Sequence, residues 1–395
     1  MSADVIVIGG GVVGCSVAYY LAINGLSVII LERESIGSGA SAHATGFLSL
    51  LGNEFSAGSS FELGLAGYHE FTDLVPTLEE ETGIDLLCQY RPSLRLALDK
   101  EEETLIKDLS IWQSRSVAMR WITGDEVRMI EPRLTDSIIG AVYENQSAQI
   151  DSYRLTLALA KAAEQRGVQI QLREAAGLLT SNGRVIGVRT RLENLFCDTV
   201  VVAAGVWSNM FEASVKFPIP VRPLKGERLV LRYSGAPLPV LISSPKRGHI
   251  ISRMDGLLSV GSTGGRDYDD AELFLGDEFD RRPTEGAKIE LLTRATDVLP
   301  DLGVAELIQQ LAGSRPLTPD RIPIIGPVPG WKGLMLATGH TTKGIHLGPI
   351  TGRIISDYIV KDYTDVPVDT GPFLPNRFVG ECGSDFHVSG QMVDE

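Results

Sequence analysis

Three glycines, Gly9, Gly11 and Gly14, separate the continuous β-branched run Val5-Ile6-Val7-Ile8 from an apolar helical stretch, and no other feature restricts the fold of this chain as much. The run reads as a strand buried on both faces. The helical stretch over 15–24 places Val17, Tyr20 and Leu21 on one side, and Gly25 stops it. Leu26-Ser27-Val28-Ile29-Ile30-Leu31 is a second buried strand, with Glu32 at its end, roughly twenty residues after the glycine turn. A strand, glycine turn, helix and strand in this order predict an α/β fold built on a parallel sheet. Gly9 permits the tight turn, Gly11 lets the backbone approach a pyrophosphate, and Gly14 lets the helix lie close to the strand. Val12 and Val13 begin the helix, whose free N–H groups and positive dipole end suit phosphate. The Glu32 carboxylate can accept hydrogen bonds from both ribose hydroxyls of an adenosine and would repel a 2′-phosphate, which favours FAD or NAD over NADP.

The remaining composition bounds partners more than fold. At 395 residues, 44% of them hydrophobic, the chain can bury a large core in two units or one composite. A formal net charge of −14 and the absence of any Lys/Arg run argue against nucleic acid or an anionic membrane as partner. Cys15, Cys88, Cys197 and Cys382 have no C-x-x-C spacing, so neither a metal centre nor a disulfide framework is expected. No leader-like segment or run of membrane-spanning length is evident, which makes the cytoplasm the default location.

After Glu32 the chain continues through Arg33 into a stretch rich in Gly, Ala and Ser up to Phe47, too apolar for a solvated linker. The order of glycine turn, Glu-Arg and then G-A-S-x-x-x-x-G resembles the D-amino-acid oxidase, glycine oxidase and sarcosine oxidase family of flavoproteins. Two C-terminal segments carry the same resemblance: Gly313-Ser314-Arg315-Pro316 with the residues up to Pro327, and Gly339-His340-Thr341-Thr342-Lys343-Gly344-Ile345-His346-Leu347-Gly348, which opens a helix to Val360. The matches span most of residues 4–362. They imply a Rossmann-like FAD-binding domain of the glutathione-reductase type, interleaved with an antiparallel-sheet α+β substrate domain. Residues 1–85, 140–215 and 316–368 would form the first, residues 86–139 and 216–315 the second, and 369–395 a mobile C-terminal tail.

The pattern between those signatures is compatible with that division. Residues 61–81 and 100–115 read as helices, 94–98 as an alternating strand, and 121–132 resemble the family's short helix before a hairpin. Asp151 caps a helix to Gln165, Asn182-Gly183 is a hairpin turn, and 199–204 is a buried strand ending at Gly205. Residues 216–315 lose the strand-helix alternation. There 221–230, 249–253 and 257–263 read as antiparallel strands and 285–298 as one amphipathic helix.

The resemblance also assigns sites. FAD would be held by Gly9, Gly11, Val12, Val13, Gly14 and Glu32. Arg33, Ala40, Ser41, His43, Thr45, Gly46 and Phe47 would line its second loop, Ala175 would hold the adenine, and Gly205 and residues 340–346 would close the site. Negative charge at flavin N1 and O2 would meet the N–H groups of Lys343, Gly344, Ile345 and His346. Arg315 would bind a substrate carboxylate bidentately, with a structural ion pair as the alternative reading. The second substrate arginine of glycine oxidase falls at Thr342, beside Lys343. His43 occupies the place of the flavin-linked histidine in dimethylglycine and sarcosine dehydrogenases, or is an ordinary loop histidine. His249, Arg253 and Lys225 are further candidates for the pocket. The implied reaction is oxidation of a C–N bond in a small amino acid or secondary amine by hydride transfer to flavin N5, with hydrolysis of the imine and no dedicated base. Dioxygen or another acceptor would reoxidise the flavin, in a homo-oligomer or with a partner subunit. Alternatives are a same-fold flavoenzyme acting on a hydroxy acid, a flavin subunit of a larger dehydrogenase, and an NAD-dependent dehydrogenase, which would not need the 39–47 and 339–348 loops.

Overall fold

The structure is a computed structural model that describes residues 3–113, 115, 117–263 and 281–379. At its centre Ala3–Ile8 lies between Val28–Glu32 and Asn194–Val202, parallel to both. Gln169–Leu172 extends the sheet beyond Val28–Glu32, and Leu334–Thr338 lies parallel to the end of Asn194–Val202. The unbroken apolar runs are explained by the two faces they serve. Val7, Ile30 and Val201 enter one core cluster, while Ile6, Leu31 and Val202 enter another on the opposite side.

Helices Val12–Ile23, Ser152–Gln165, Gly344–Lys361 and Ser59–Thr82 cover the first of these faces. Asp151 starts one of them by accepting hydrogen bonds from Tyr153 N and Arg154 N. Two glycines set the closest packing. A Cβ on Gly352 would lie 2.6 Å from the Ser16 carbonyl carbon, and one on Gly348 3.0 Å from Val12 Cγ2. Helix Gly344–Lys361 therefore lies directly on the fingerprint helix, near its start.

A second, eight-stranded sheet runs in the order Glu306–Leu317, Arg222–Arg232, Leu257–Gly261, Gly248–Ser252, Leu241–Ser244, Ser93–Ala97, Gly140–Glu144, Met119–Thr123. Its neighbours are antiparallel except Leu241–Ser244 with Ser93–Ala97. Helices Glu285–Val298 and Gly124–Ile130 contribute Leu291, Ala295 and Val127 to the core on its back. Phe47–Ser49, Gln89–Tyr90 and Ser147–Gln149 form a small sheet at the junction.

Three expectations change. Gly140–Glu144, expected with the first unit, pairs with Ser93–Ala97 and Met119–Thr123 in the second sheet, antiparallel to both, so its backbone hydrogen bonds are taken up there and not in the parallel sheet. Residues 121–123, expected at the start of a short helix, end the strand Met119–Thr123, and the helix begins only after Thr123, which forms a capping box with Glu126. The expected mobile tail is docked as far as residue 379. Phe373 and Phe378 are buried in the two cores of the first sheet, and Arg377 pairs with Asp320 at 2.7 Å. Cys382 and the rest of the tail lie outside the described residues. Cys15, Cys88 and Cys197 are free thiols. Among the described residues no helix is long and apolar enough to cross a membrane.

Candidate cofactor and substrate cavity

One cavity runs between the C-terminal edge of the first sheet and the face of the second. It is lined by Gly9, Gly11, Val12, Val13, Glu32, Arg33, Ala40, Ser41, His43, Thr45, Gly46, Phe47, Ala175, Gly205, His249, Arg315, His340, Thr341, Thr342, Gly344, Ile345 and His346. Four other residues singled out from the sequence stand outside this wall. Gly14 is a packing glycine, since a Cβ there would lie 1.9 Å from Gly9 O. Lys225 donates to Arg282 O at 2.8 Å, and Arg253 pairs with Asp151 and Asp255. Lys343, expected in catalysis, has its ammonium 5.5 Å from the Phe55 ring centroid. Its N–H donates to His340 O at 2.8 Å, so it is not among the donors facing the cavity. Burial pushes its ammonium down to about 8.

The nucleotide end is built from backbone. Glu32 accepts from Gly10 N at 2.7 Å with one carboxylate oxygen and from Glu34 N at 2.9 Å with the other. These bonds fix the carboxylate while leaving each oxygen a further lone pair. Val12 N donates to Ser41 Oγ at 3.0 Å, which ties the second loop to the fingerprint helix. Gly46 has φ +77°, and a Cβ there would sit 1.7 Å from Ile150 O, so only glycine lets the loop turn at that place. The Arg33 guanidinium stacks 3.6 Å from the Trp207 ring centroid. Helix Gly344–Lys361 has no side-chain N-cap, and its first turn, Gly344 to His346, faces the cavity as the start of the fingerprint helix does. Two helix N-termini, an oriented carboxylate and walls of small residues form a donor set that fits the pyrophosphate, ribose and ring of FAD.

The opposite wall is decided by register. Arg95, Ser243, His249, Gly261 and Arg228 stand opposite one another across five consecutive strands, so their side-chain positions share one face. Arg315 reaches the same space from the edge strand. Its guanidinium lies over Gly226, where a Cβ would be 1.9 Å from Nη2, and Nη2 donates to Thr263 O at 3.2 Å. His249 Nε2 is 2.7 Å from Thr45 Oγ1, joining this wall to the second loop. Sequence reading does not find Arg95 and Arg228. Arg95 is 4% exposed and ion-paired with Glu54. Arg228 is 7% exposed, donating from Nε to His43 O at 2.8 Å and from Nη1 to Ser259 Oγ at 3.2 Å. Burial, and then the field of Arg253, pushes its guanidinium down to about 10.

The histidines divide into packing groups and one unsatisfied group. His340 Nε2 meets Thr351 Oγ1 at 2.9 Å, and burial pushes its imidazole down to about 3. His346 donates from Nε2 to Gly64 O at 2.7 Å and accepts from Asn53 Nδ2 at 3.2 Å, and burial pushes it down to about 4. Both are neutral and pinned. His43 is half-buried, its Nδ1 has no hydrogen-bond partner, and burial followed by the charges of Arg228 and Arg281 lowers its proton affinity.

Fold and cavity define a flavin-binding oxidoreductase. Residues 4–358 match the FAD dependent oxidoreductase family, and the chain belongs to it. It is an enzyme whose cofactor is FAD. It is 32% identical over 388 residues to the glycine oxidase of Geobacillus kaustophilus (strain HTA426), spanning 96% of this chain and 98% of that one. Identity to the glycine oxidase of Pseudomonas aeruginosa is 30% over 379 residues, covering 95% and 99%. The crystal structure of glycine oxidase from Geobacillus kaustophilus superposes with a TM-score of 0.87 at 30% identity, over 96% of this chain and 100% of that one.

Proposed function

We propose that the chain oxidises the C–N bond of a small amino acid or N-substituted glycine whose carboxylate is seated on Arg315. The observation that carries this reading is the Arg315 guanidinium spread over Gly226 on the wall facing the flavin-binding loops. A planar fork in that position suits a carboxylate bidentately and fixes the α-carbon against the opposite wall. When bound, FAD supplies the two-electron acceptor. The protein's own part is orientation and electrostatics. Arg228 and Arg315 place positive charge on the substrate wall, which favours the uncharged amine from which oxidation must start. Burial lowers the proton affinity of His340 and His346, and hydrogen bonds hold both rings, so neither suits the role of a base. The first-turn N–H groups of Gly344, Ile345 and His346 present partial positive charge where negative charge gathers on reduction.

The relatives' designation as glycine oxidases supports the amino-acid substrate and dioxygen as electron acceptor. Free thiols at Cys15, Cys88 and Cys197 support a cytoplasmic setting. The test is anaerobic bleaching of the flavin by glycine, sarcosine, proline and D-amino acids, followed by oxygen-electrode assay of the substrates found. Bleaching by one or more of these is the expected result. A flavin that none of them reduces, but that a hydroxy acid does, would replace this reading with the hydroxy-acid alternative.

A further inference from the structure

Residues 43–45 form a partition with a cavity on each side. One side is the wall described above. On the other lies a second cavity of about 330 Å3, bordered by Gln149, Tyr153, Arg253 and Leu311, and sharing His43 and Arg228 with the first. Its charge is uneven. Arg253 pairs with Asp151, which also lines this cavity, and with Asp255, whereas Arg228 feels those carboxylates only through space, donates to two neutral acceptors and makes no ion pair among the described residues. A guanidinium 7% exposed, with N–H donors to spare, is costly unless an anion meets it. Gln149 is the second and independent sign. It is 3% exposed, and its Oε1 is buried with no hydrogen-bond partner. A buried carbonyl left unsatisfied calls for a donor from whatever fills the space.

We propose that this second cavity binds a small α-hydroxy or α-amino carboxylate, with the carboxylate on Arg228 and the α-substituent donating to Gln149 Oε1. A bare carboxylate satisfies Arg228 and leaves Gln149 orphaned. An apolar guest satisfies neither. The inference rests on these two side chains and not on the reaction proposed above.

The experiment is calorimetric titration of the full-length, FAD-loaded protein with glycolate and with acetate. Glycolate should show a class of site that Leu311→Trp, which fills the cavity, abolishes. Gln149→Leu should weaken that class about three- to tenfold, the loss of one hydrogen bond, while acetate binding stays unchanged. Neither residue lines the cofactor cavity, so retained flavin absorbance reports that both variants fold. Arg315→Ala should leave this class in place. Any glycolate binding lost with Arg315 belongs to the first cavity and bears on the proposed reaction alone. Glycolate binding indifferent to both Leu311→Trp and Gln149→Leu overturns the site. Equal weakening of glycolate and acetate by Gln149→Leu overturns the α-substituent assignment.

Discussion

Arg315 holds its position because the opposite strand offers Gly226 where any side chain would collide with the guanidinium. In the proposed site, truncating it would leave the substrate carboxylate desolvated and unpaired, a cost of about 2–5 kcal/mol. Arg315→Ala should therefore lower kcat/KM for an amino acid by roughly 30- to several-thousand-fold with FAD retained, and Arg315→Lys should recover only part, since a point charge does not replace the fork. A decarboxylated analogue should be poor with the native enzyme and lose little more on mutation; unchanged turnover of carboxylate substrates in Arg315→Ala would remove the arginine from the substrate site. Glu32 offers a second test at this scale. Glu32→Ala should weaken FAD retention by on the order of 1.5–3 kcal/mol, the worth of charge-assisted hydrogen bonds, as read by equilibrium dialysis. Acid precipitation separates the two readings of His43: a covalent bond keeps the pellet yellow, and an ordinary loop histidine leaves it colourless.

Helices place these residues, and the Gly344–Lys361 helix does so against the fingerprint helix through Gly352 and Gly348. Gly352→Ala would push a Cβ into the backbone of Ser16, an overpacking cost of about 1–3 kcal/mol. Because both helix N-termini face the FAD cavity, the same substitution should lower the thermal midpoint and speed flavin loss together. A fall in stability with no change in flavin release would separate the packing from the site. His340 and His346 sit beside the start of this helix and set its response to acid. Each is held below the ordinary 6.5, at about 3 and about 4, so the unfolded chain takes up protons that the fold refuses. Their contribution is full above pH 6.5 and is lost as pH falls, down to about 4 for His346 and about 3 for His340, at up to about 1.4 kcal/mol per pH unit for each. Glu144 acts in the opposite sense. Burial raises its carboxyl from 4.5 to about 7, against the hydrogen bonds it accepts from Ser49, Leu50, Leu51 and Ser93, so its contribution is present below pH 4.5 and fades as pH rises through 7. The informative quantity is the difference between proteins: denaturation of His340→Gln between pH 6.5 and 4.5 should lose stability less steeply than the native chain. An equal slope would mean that His340 carries a proton in the fold.

Across the whole molecule, the two sheets meet at one cavity and the segment after residue 369 closes over the first of them. Phe373 is 1% exposed in the core that holds the fingerprint helix, so Phe373→Ala should cost about 3–5 kcal/mol by denaturant titration although it is far along the chain from any site residue. A loss under 1 kcal/mol would show that the segment is not part of the core. That docking was not legible in the sequence because short 3-10 turns rich in Pro and Gly have no period to read, and two buried rings say nothing of where they bind. The fingerprint strand, turn, helix and Glu32 were legible, because the burial of a strand on both faces and the needs of a phosphate-binding turn are written within thirty adjacent residues. That Arg315 lines the cavity was legible only through the resemblance of its neighbours to a family. Arg95 and Arg228 were not, since what brings them to one face is the register of strands more than a hundred residues apart, and no local pattern encodes a pairing partner. Lys343 shows the converse: its place in the chain pointed to the flavin, but rotamer and packing turned its ammonium towards Phe55. By itself the sequence determined the class of fold and the cofactor. Tertiary structure alone decided which cations line the cavity, because side-chain direction follows from strand register and close packing, both of which are long-range.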